Sequence, residues 1–145
     1  MSDVVIDSSV AVAWALPDEH LHPAAVRFIG GLVDGCLTPV VAAHFAFEVR
    51  HALIRAARAG RVDWANVPGW MLAIDGLEPT IVSLNPKDEV IIDLAQRHGL
   101  TWGDAHWVEV ARRLDRPLLT ADQRLARSVP DEVAIVVYLG DDDAA

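Results

Sequence analysis

The chain has a single cysteine, Cys36, among its 145 residues. No intrachain disulfide can form, and a reducing, cytoplasmic setting is the expectation. No apolar run approaches the roughly 20 residues of a membrane span. The opening MSDVVIDSSV has neither the basic start nor the apolar stretch of a secretion signal. Positive charge is also scarce: 12 Lys plus Arg stand against 21 Asp plus Glu, a net charge of −9. That balance argues against a protein that holds nucleic acid by its overall field. A local basic face stays open, because acids gathered round a cation, and Asp141 to Asp143 at the end, weigh on the total without facing a substrate.

The rest of the composition is that of one globular domain with a sizeable core. There is no internal repeat, low-complexity block or linker. One domain is expected over residues 1–140, with 141–145 as a disordered tail.

Short apolar runs alternate with helical patterns. Val4–Ile6 reads as a strand ended by Asp7-Ser8-Ser9, residues that start helices. A short helix over Val10–Leu16 stops before Pro17. A second opens at His22-Pro23, runs to Ile29 and closes at Gly30-Gly31. Cys36–Thr38 reads as a strand, with Cys36 a small core residue. Phe45, Val49, Ala52, Leu53 and Ala56 follow helical spacing up to Gly60. Val62 to about Ile74 is helical with a break near Pro68. Thr80–Leu84 is a strand, Lys87–His98 and Trp102–Leu114 are helices, and Leu118–Thr120 and Ala134–Tyr138 are the last strands. This alternation predicts an α/β fold, a central parallel sheet flanked by helices on both faces.

Four carboxylates stand out against that frame: Asp7 in VVIDSSV, Glu48 in FAFEVRHAL, Asp104 in LTWGDAHW and Asp122 in LLTADQRL. Asp7 and Asp122 follow strand-like runs, and open parallel sheets collect their ligands at the carboxyl ends of strands. A carboxylate cluster repels itself unless it is protonated or neutralised by a cation. Oxygen-only ligands suit Mg²⁺ or Mn²⁺, and such sites perform metal-assisted phosphoryl chemistry. Each acid also has a plain reading. Asp7 and Asp122 are good helix caps, and Thr101 to Asp104 resembles a capping box with Asp in place of Glu. Glu48 shares the apolar side of its helix, where an ionised carboxylate needs either a partner or an edge position.

Other residues invite the same weighing. His20 and His22 form a His-x-His that would suit Zn²⁺, against a plain polar loop. His51, Arg55 and Arg58 make a basic line on the Glu48 helix, facing RNA phosphates, an acidic partner or only solvent. Arg112, Arg113 and Arg116 answer a helix dipole. Arg124 and Arg127 follow Asp122 within reach of a substrate phosphate. Trp14 and Trp107 read as core or interface, and Trp64 and Trp70 as candidate partner contacts.

Taken together, VVIDSSV, FEVRHAL, GDAHWVEVARRL and PLLTADQRL resemble the PIN-domain family, in particular the VapC-type toxins of bacterial toxin–antitoxin pairs. The stretches span nearly the whole chain in the family's order. The resemblance implies a single PIN-like domain and a Mg²⁺- or Mn²⁺-dependent endoribonuclease. Asp7, Glu48, Asp104 and Asp122 would be its catalytic and metal-binding acids. It implies accessory roles for Ser8 and Thr120, small hydroxyl residues beside the first and last acids. The implied partners are an RNA substrate, a small cognate VapB-like antitoxin and a second copy of the chain, with no membrane. Two departures concern local packing and substrate preference: Gly103 stands where the family often has an aromatic residue, and His106 replaces a frequent Tyr. Alternatives are a housekeeping RNA-processing nuclease without antitoxin and a catalytically inert binding module of the same fold. A phosphoacceptor domain fits poorly, because the one lysine, Lys87, precedes a helix instead of following a strand.

Overall fold

The computed structural model describes residues 2–141. Five parallel strands form one sheet in the order β3-β2-β1-β4-β5. They are β1 (Ser2–Ile6), β2 (Leu37–Ala42), β3 (Thr80–Val82), β4 (Leu118–Thr120) and β5 (Val136–Tyr138). The helices are α1 (Ser8–Ala15), α2 (His22–Val33), α3 (Phe45–Arg58), α4 (Val67–Asp75), α5 (Asp88–His98), α6 (Trp102–Leu114) and α7 (Gln123–Ser128). Helices α1 to α4 pack on one another, whereas α5 packs on α6 and α6 lies against β2 and β4. Right-handed crossovers require this: the two connections from β1 to β3 step one way along the sheet, and the return to β4 steps the other.

Val4, Val5, Ile6, Val40, Val41, Leu118 and Leu119 are buried, as central strands covered on both faces must be. The apolar stripes of α3 (Val49, Leu53, Ala56) and α6 (Trp107, Val108, Ala111) complete the core. β1 lies between β2 and β4, where the strand order reverses, so the crevice expected at a switch point opens beyond Ile6 and Thr120. Asp7 is the next residue after β1, and its N–H still donates to the Leu119 carbonyl at 3.2 Å.

Three local expectations are corrected. Helix α2 does not close at Gly30-Gly31 but continues through both to Val33. Glycine weakens a helix by about 1 kcal/mol without breaking it, and the turn waits for Gly35, whose φ of +77° is the left-handed conformation glycine tolerates. β2 begins at Leu37 and runs on through Pro39 to Ala42. Pro39 pairs with Val4 on one side, while β3 joins the other side only from Val40 onward. The missing N–H of Pro39 therefore costs no ladder bond there. Cys36 is not a core residue: it is exposed in the turn before β2. The break near Pro68 is a 3₁₀ turn, Trp64–Asn66, leading into α4 with the proline in its first turn. Residues 142–145 of the expected tail lie outside the described residues, as do Asp142 and Asp143.

Candidate active site

Asp7 is 4% exposed, a carboxylate almost wholly out of water. It does cap α1, accepting from the Ser9 N–H at 3.0 Å. It also accepts from the Ser9 hydroxyl, and from the buried Thr120 hydroxyl at 2.6 Å. The Ser9 oxygen in turn accepts from the Ala121 N–H at 2.9 Å, and Thr120 Oγ1 accepts from the Asp122 N–H at 3.0 Å. The β1–α1 and β4–α7 junctions are thereby tied together. Asp122 caps α7, its Oδ1 accepting from the N–H groups of Arg124 and Leu125 at 3.0 and 3.3 Å. Both acids therefore cap the helices that follow them.

Glu48 sits in the first turn of α3, half-buried. Its Oε1 accepts from the Trp107 indole N–H at 2.6 Å. The same oxygen lies 3.1 Å from Nε2 of His44, a contact outside hydrogen-bond alignment that leaves this buried nitrogen without a hydrogen-bond partner. On the α6 side, a Cβ at Gly103 would stand 3.1 Å from Glu48 Oε2. The missing side chain at 103 is what admits the glutamate. Asp104 follows in the first turn of α6, its N–H donating to the Thr101 hydroxyl at 3.1 Å in the expected cap.

Electrostatics link the four acids. Burial first, and then the charge of Asp104, push Asp7 from 3.8 up to about 6, although the Ser9 and Thr120 hydrogen bonds pull the other way. Asp104 is raised, first by burial and then by Asp122 and Glu48, against the opposing pull of Thr101 and Arg124. Glu48 is the exception. Burial would raise it, but the His44 imidazole, the Trp107 indole and the Ser8 hydroxyl together hold it below its ordinary value. Asp104 therefore feels each of the other three, and the negative charge around it is only partly compensated.

Among the described residues, no three His, Cys, Asp or Glu side chains are drawn into a metal-coordinating group. The fit to a divalent ion is one of donor chemistry: oxygen ligands only, coupled by repulsion through Asp104, after β1 and β4 and in the first turns of α3 and α6. Mg²⁺ retains several waters and does not require an all-protein cage.

Around the site, Ser8 serves Glu48, whereas Ser9 is the hydroxyl that holds Asp7. Ser9 is legible only as a possible cap, and His44 not at all, although it stands four residues before Glu48 at the N-cap of the same helix. The His106 ring meets His44 edge-on at 4.9 Å. Arg124 is exposed, and its charge reaches Asp104. His51, Arg55 and Arg58 are exposed along α3, and Phe47, 73% exposed, stacks on His51. The His-x-His pair is not drawn into a metal group: His22 Nδ1 bonds the Ala13 carbonyl at 2.9 Å. Arg112 forks onto buried Glu109 at 2.7 and 2.8 Å, a structural pairing beyond the dipole role. Trp107 is core, Trp14 and Trp70 pack against it, and Trp64 is exposed.

The family model described as PIN domain matches residues 4–129. The chain belongs to the PIN domain family. Within that family it is 36% identical over 93 residues to Ribonuclease VapC1 of Mycobacterium tuberculosis, an alignment covering 61% of this chain and 68% of that protein. The crystal structure of PAE2754 from Pyrobaculum aerophilum superposes with a TM-score of 0.69 at 25% identity, over 94% of this chain and 84% of that one. The fold is also that of VapBC2 from Rickettsia felis, a structure bound to a promoter DNA fragment, with a TM-score of 0.61 at 12% identity over 94% and 98% of the two chains. Among the described residues, no helix of this PIN domain is long and apolar enough to cross a membrane.

Proposed function

We propose that this PIN domain is a Mg²⁺- or Mn²⁺-dependent endoribonuclease and the toxin of a VapBC-type pair. The observation that supports the proposal is the electrostatic coupling of Asp104 to Asp7, Glu48 and Asp122, a negative charge that Arg124 offsets only in part. Asp7, Glu48, Asp104 and Asp122 would hold the metal, directly or through its waters. A divalent ion there supplies charge relief to the scissile phosphate and makes water acidic enough to attack near neutral pH.

The chain's own groups prepare that chemistry. Ser9 and Thr120 fix the Asp7 carboxylate, and Trp107, His44 and Ser8 fix Glu48. Arg124, exposed beside Asp104, is placed to meet a substrate phosphate. The stack of Phe47 on His51, with Arg55 and Arg58 beyond, offers a strand of RNA an aromatic surface followed by positive charge. This local basic face answers the objection raised by the net charge of −9.

The toxin role is supported by the likeness to Ribonuclease VapC1. A small antitoxin carrying basic side chains would suit the acidic site, and exposed Trp64, Leu72 and Ile81 offer apolar surface to it or to a second copy of the chain. The test is to incubate the purified chain with total cellular RNA in Mg²⁺, in EDTA and after Mg²⁺ is restored, and to map the new ends. Discrete cleavage that disappears in EDTA and returns with Mg²⁺ is expected. Intact RNA in all three refutes the nuclease reading. Co-purification with the product of an adjacent short reading frame, with loss of cleavage, is expected of the toxin role. Failure of that arm leaves a processing nuclease instead.

A further inference from the structure

We propose that Trp107 and His44 are positioning residues that make Glu48 a one-oxygen ligand, engaging Oε1 in the wall of the site and leaving Oε2 toward Asp104. The inference rests on the metal reading above and deepens it. The Trp107 indole is 1% exposed and its N–H ends 2.6 Å from Oε1. That is a short, charge-assisted bond made away from competing water. His44 Nε2 approaches the same oxygen to 3.1 Å. One lone pair of Oε1 is thus engaged by a buried donor and an imidazole stands against the same oxygen, so Oε1 is the more encumbered of the oxygens facing these two side chains. Oε2 is the oxygen over Gly103, at the first turn of α6, where Asp104 also stands. The Ser8 hydroxyl is a further donor to the Glu48 carboxylate.

The geometry also explains why these three residue types occur together. An indole gives one N–H and cannot accept, so its bond to the carboxylate has a fixed sense. The His44 ring lies 4.6 Å from the Trp107 ring and 4.9 Å from that of His106, and is thereby held in place. Gly103 keeps the free oxygen uncovered. Groups behind a metal ligand orient it, and their loss typically weakens binding by about 10- to 100-fold.

The test uses the full chain with ¹⁵N-labelled tryptophan. In the metal-free protein, the Trp107 indole proton is expected far downfield, and Glu48→Gln is expected to shift it back. Saturating Mg²⁺ should leave the wild-type indole resonance near its metal-free position, because the ion takes Oε2. Movement of that resonance toward its Glu48→Gln position would show the ion taking Oε1 and overturn the proposal. In parallel, Trp107→Phe should bind Mn²⁺ about tenfold more weakly by calorimetry and lower kcat with KM little changed. A folded Trp107→Phe protein with wild-type Mn²⁺ affinity also overturns it. Should that variant not fold, the wild-type resonance decides alone. A wild type that binds neither ion removes the metal reading and this inference with it. Wild-type binding at unchanged strength in the variant removes only this inference.

Discussion

Removing the charge from Asp7 should change the pH dependence of stability in the metal-free protein. Asp7 is buried, and its pKa is raised from 3.8 to about 6. The folded state thus holds a proton there that the unfolded chain has already released between about pH 4 and 6. Where the folded state binds more protons, stability falls as pH rises. At about 1.36 kcal/mol per pH unit, the displacement from 3.8 to about 6 costs the metal-free fold roughly 3 kcal/mol above pH 6. Asp7→Asn abolishes that loss. It keeps an oxygen for the Ser9 N–H but disturbs the bond from Thr120, which returns about 1 kcal/mol. The assay is urea unfolding of both proteins in EDTA at pH 4.5 and 7. Relative to wild type, Asp7→Asn should gain about 2 kcal/mol on going from the lower pH to the higher, since part of the displacement lies below pH 4.5. Parallel pH dependence in the two proteins would show that Asp7 does not bear a raised pKa, and would refute the picture of a charge held at the fold's expense.

Further outcomes follow from the same geometry. Millimolar Mn²⁺ should raise the melting temperature of the wild type, with about 2.7 kcal/mol gained at a hundredfold excess over Kd, and Asp104→Asn should show a smaller shift. An equal shift would leave Asp104 as a first-turn helix residue only. Gly103→Ala places a Cβ 3.1 Å from Glu48 Oε2. It should slow RNA cleavage severalfold while thermal stability changes by less than about 1 kcal/mol; undiminished cleavage would show that Oε2 is not used. Arg112→Ala leaves the Glu109 carboxylate buried and unpaired. Because the guanidinium is half exposed, about 2 kcal/mol of stability should be lost in urea titrations. Cys36 is exposed, so one thiol should react with a disulfide reagent in the native protein; protection until unfolding would contradict its placement.

Much of this was readable in advance where local chemistry decides. Helix α6 runs over Trp102–Leu114 as its pattern predicts, because Thr101 caps one end and the apolar stripe stops at Leu114. The parallel sheet follows from alternation, and the ends of β1 and β4 follow from their apolar runs. Errors arose where tertiary placement overrides a local signal. The strand expected over Cys36–Thr38 instead runs over Leu37–Ala42, continuing through Pro39 to pair with β3 from Val40 onward. The Gly30-Gly31 pair suggested a helix stop, yet the positive φ occurs at Gly35. Cys36 suits a core by residue type, yet it is exposed and lies outside the strand altogether. At the proposed site, the four acids stand out in the sequence, but the side chains that hold them do not. Thr120 was picked out only by its place beside Asp122, and its hydroxyl reaches Asp7 across 113 residues. The bond from Trp107 to Glu48 spans 59 residues. No spacing rule reports such pairs, and only the folded sheet and helices bring them together.

The central claim is that four carboxylates form one metal-dependent hydrolytic site. Its most direct test is a single-turnover cleavage assay on one defined RNA in Mg²⁺, with Asp7→Asn, Glu48→Gln, Asp104→Asn and Asp122→Asn each confirmed as folded by circular dichroism. Each substitution should lower the rate by at least about two orders of magnitude, the range in which loss of a single charge-stabilising group commonly falls. A folded variant of any of the four that cleaves at the wild-type rate would contradict the shared site.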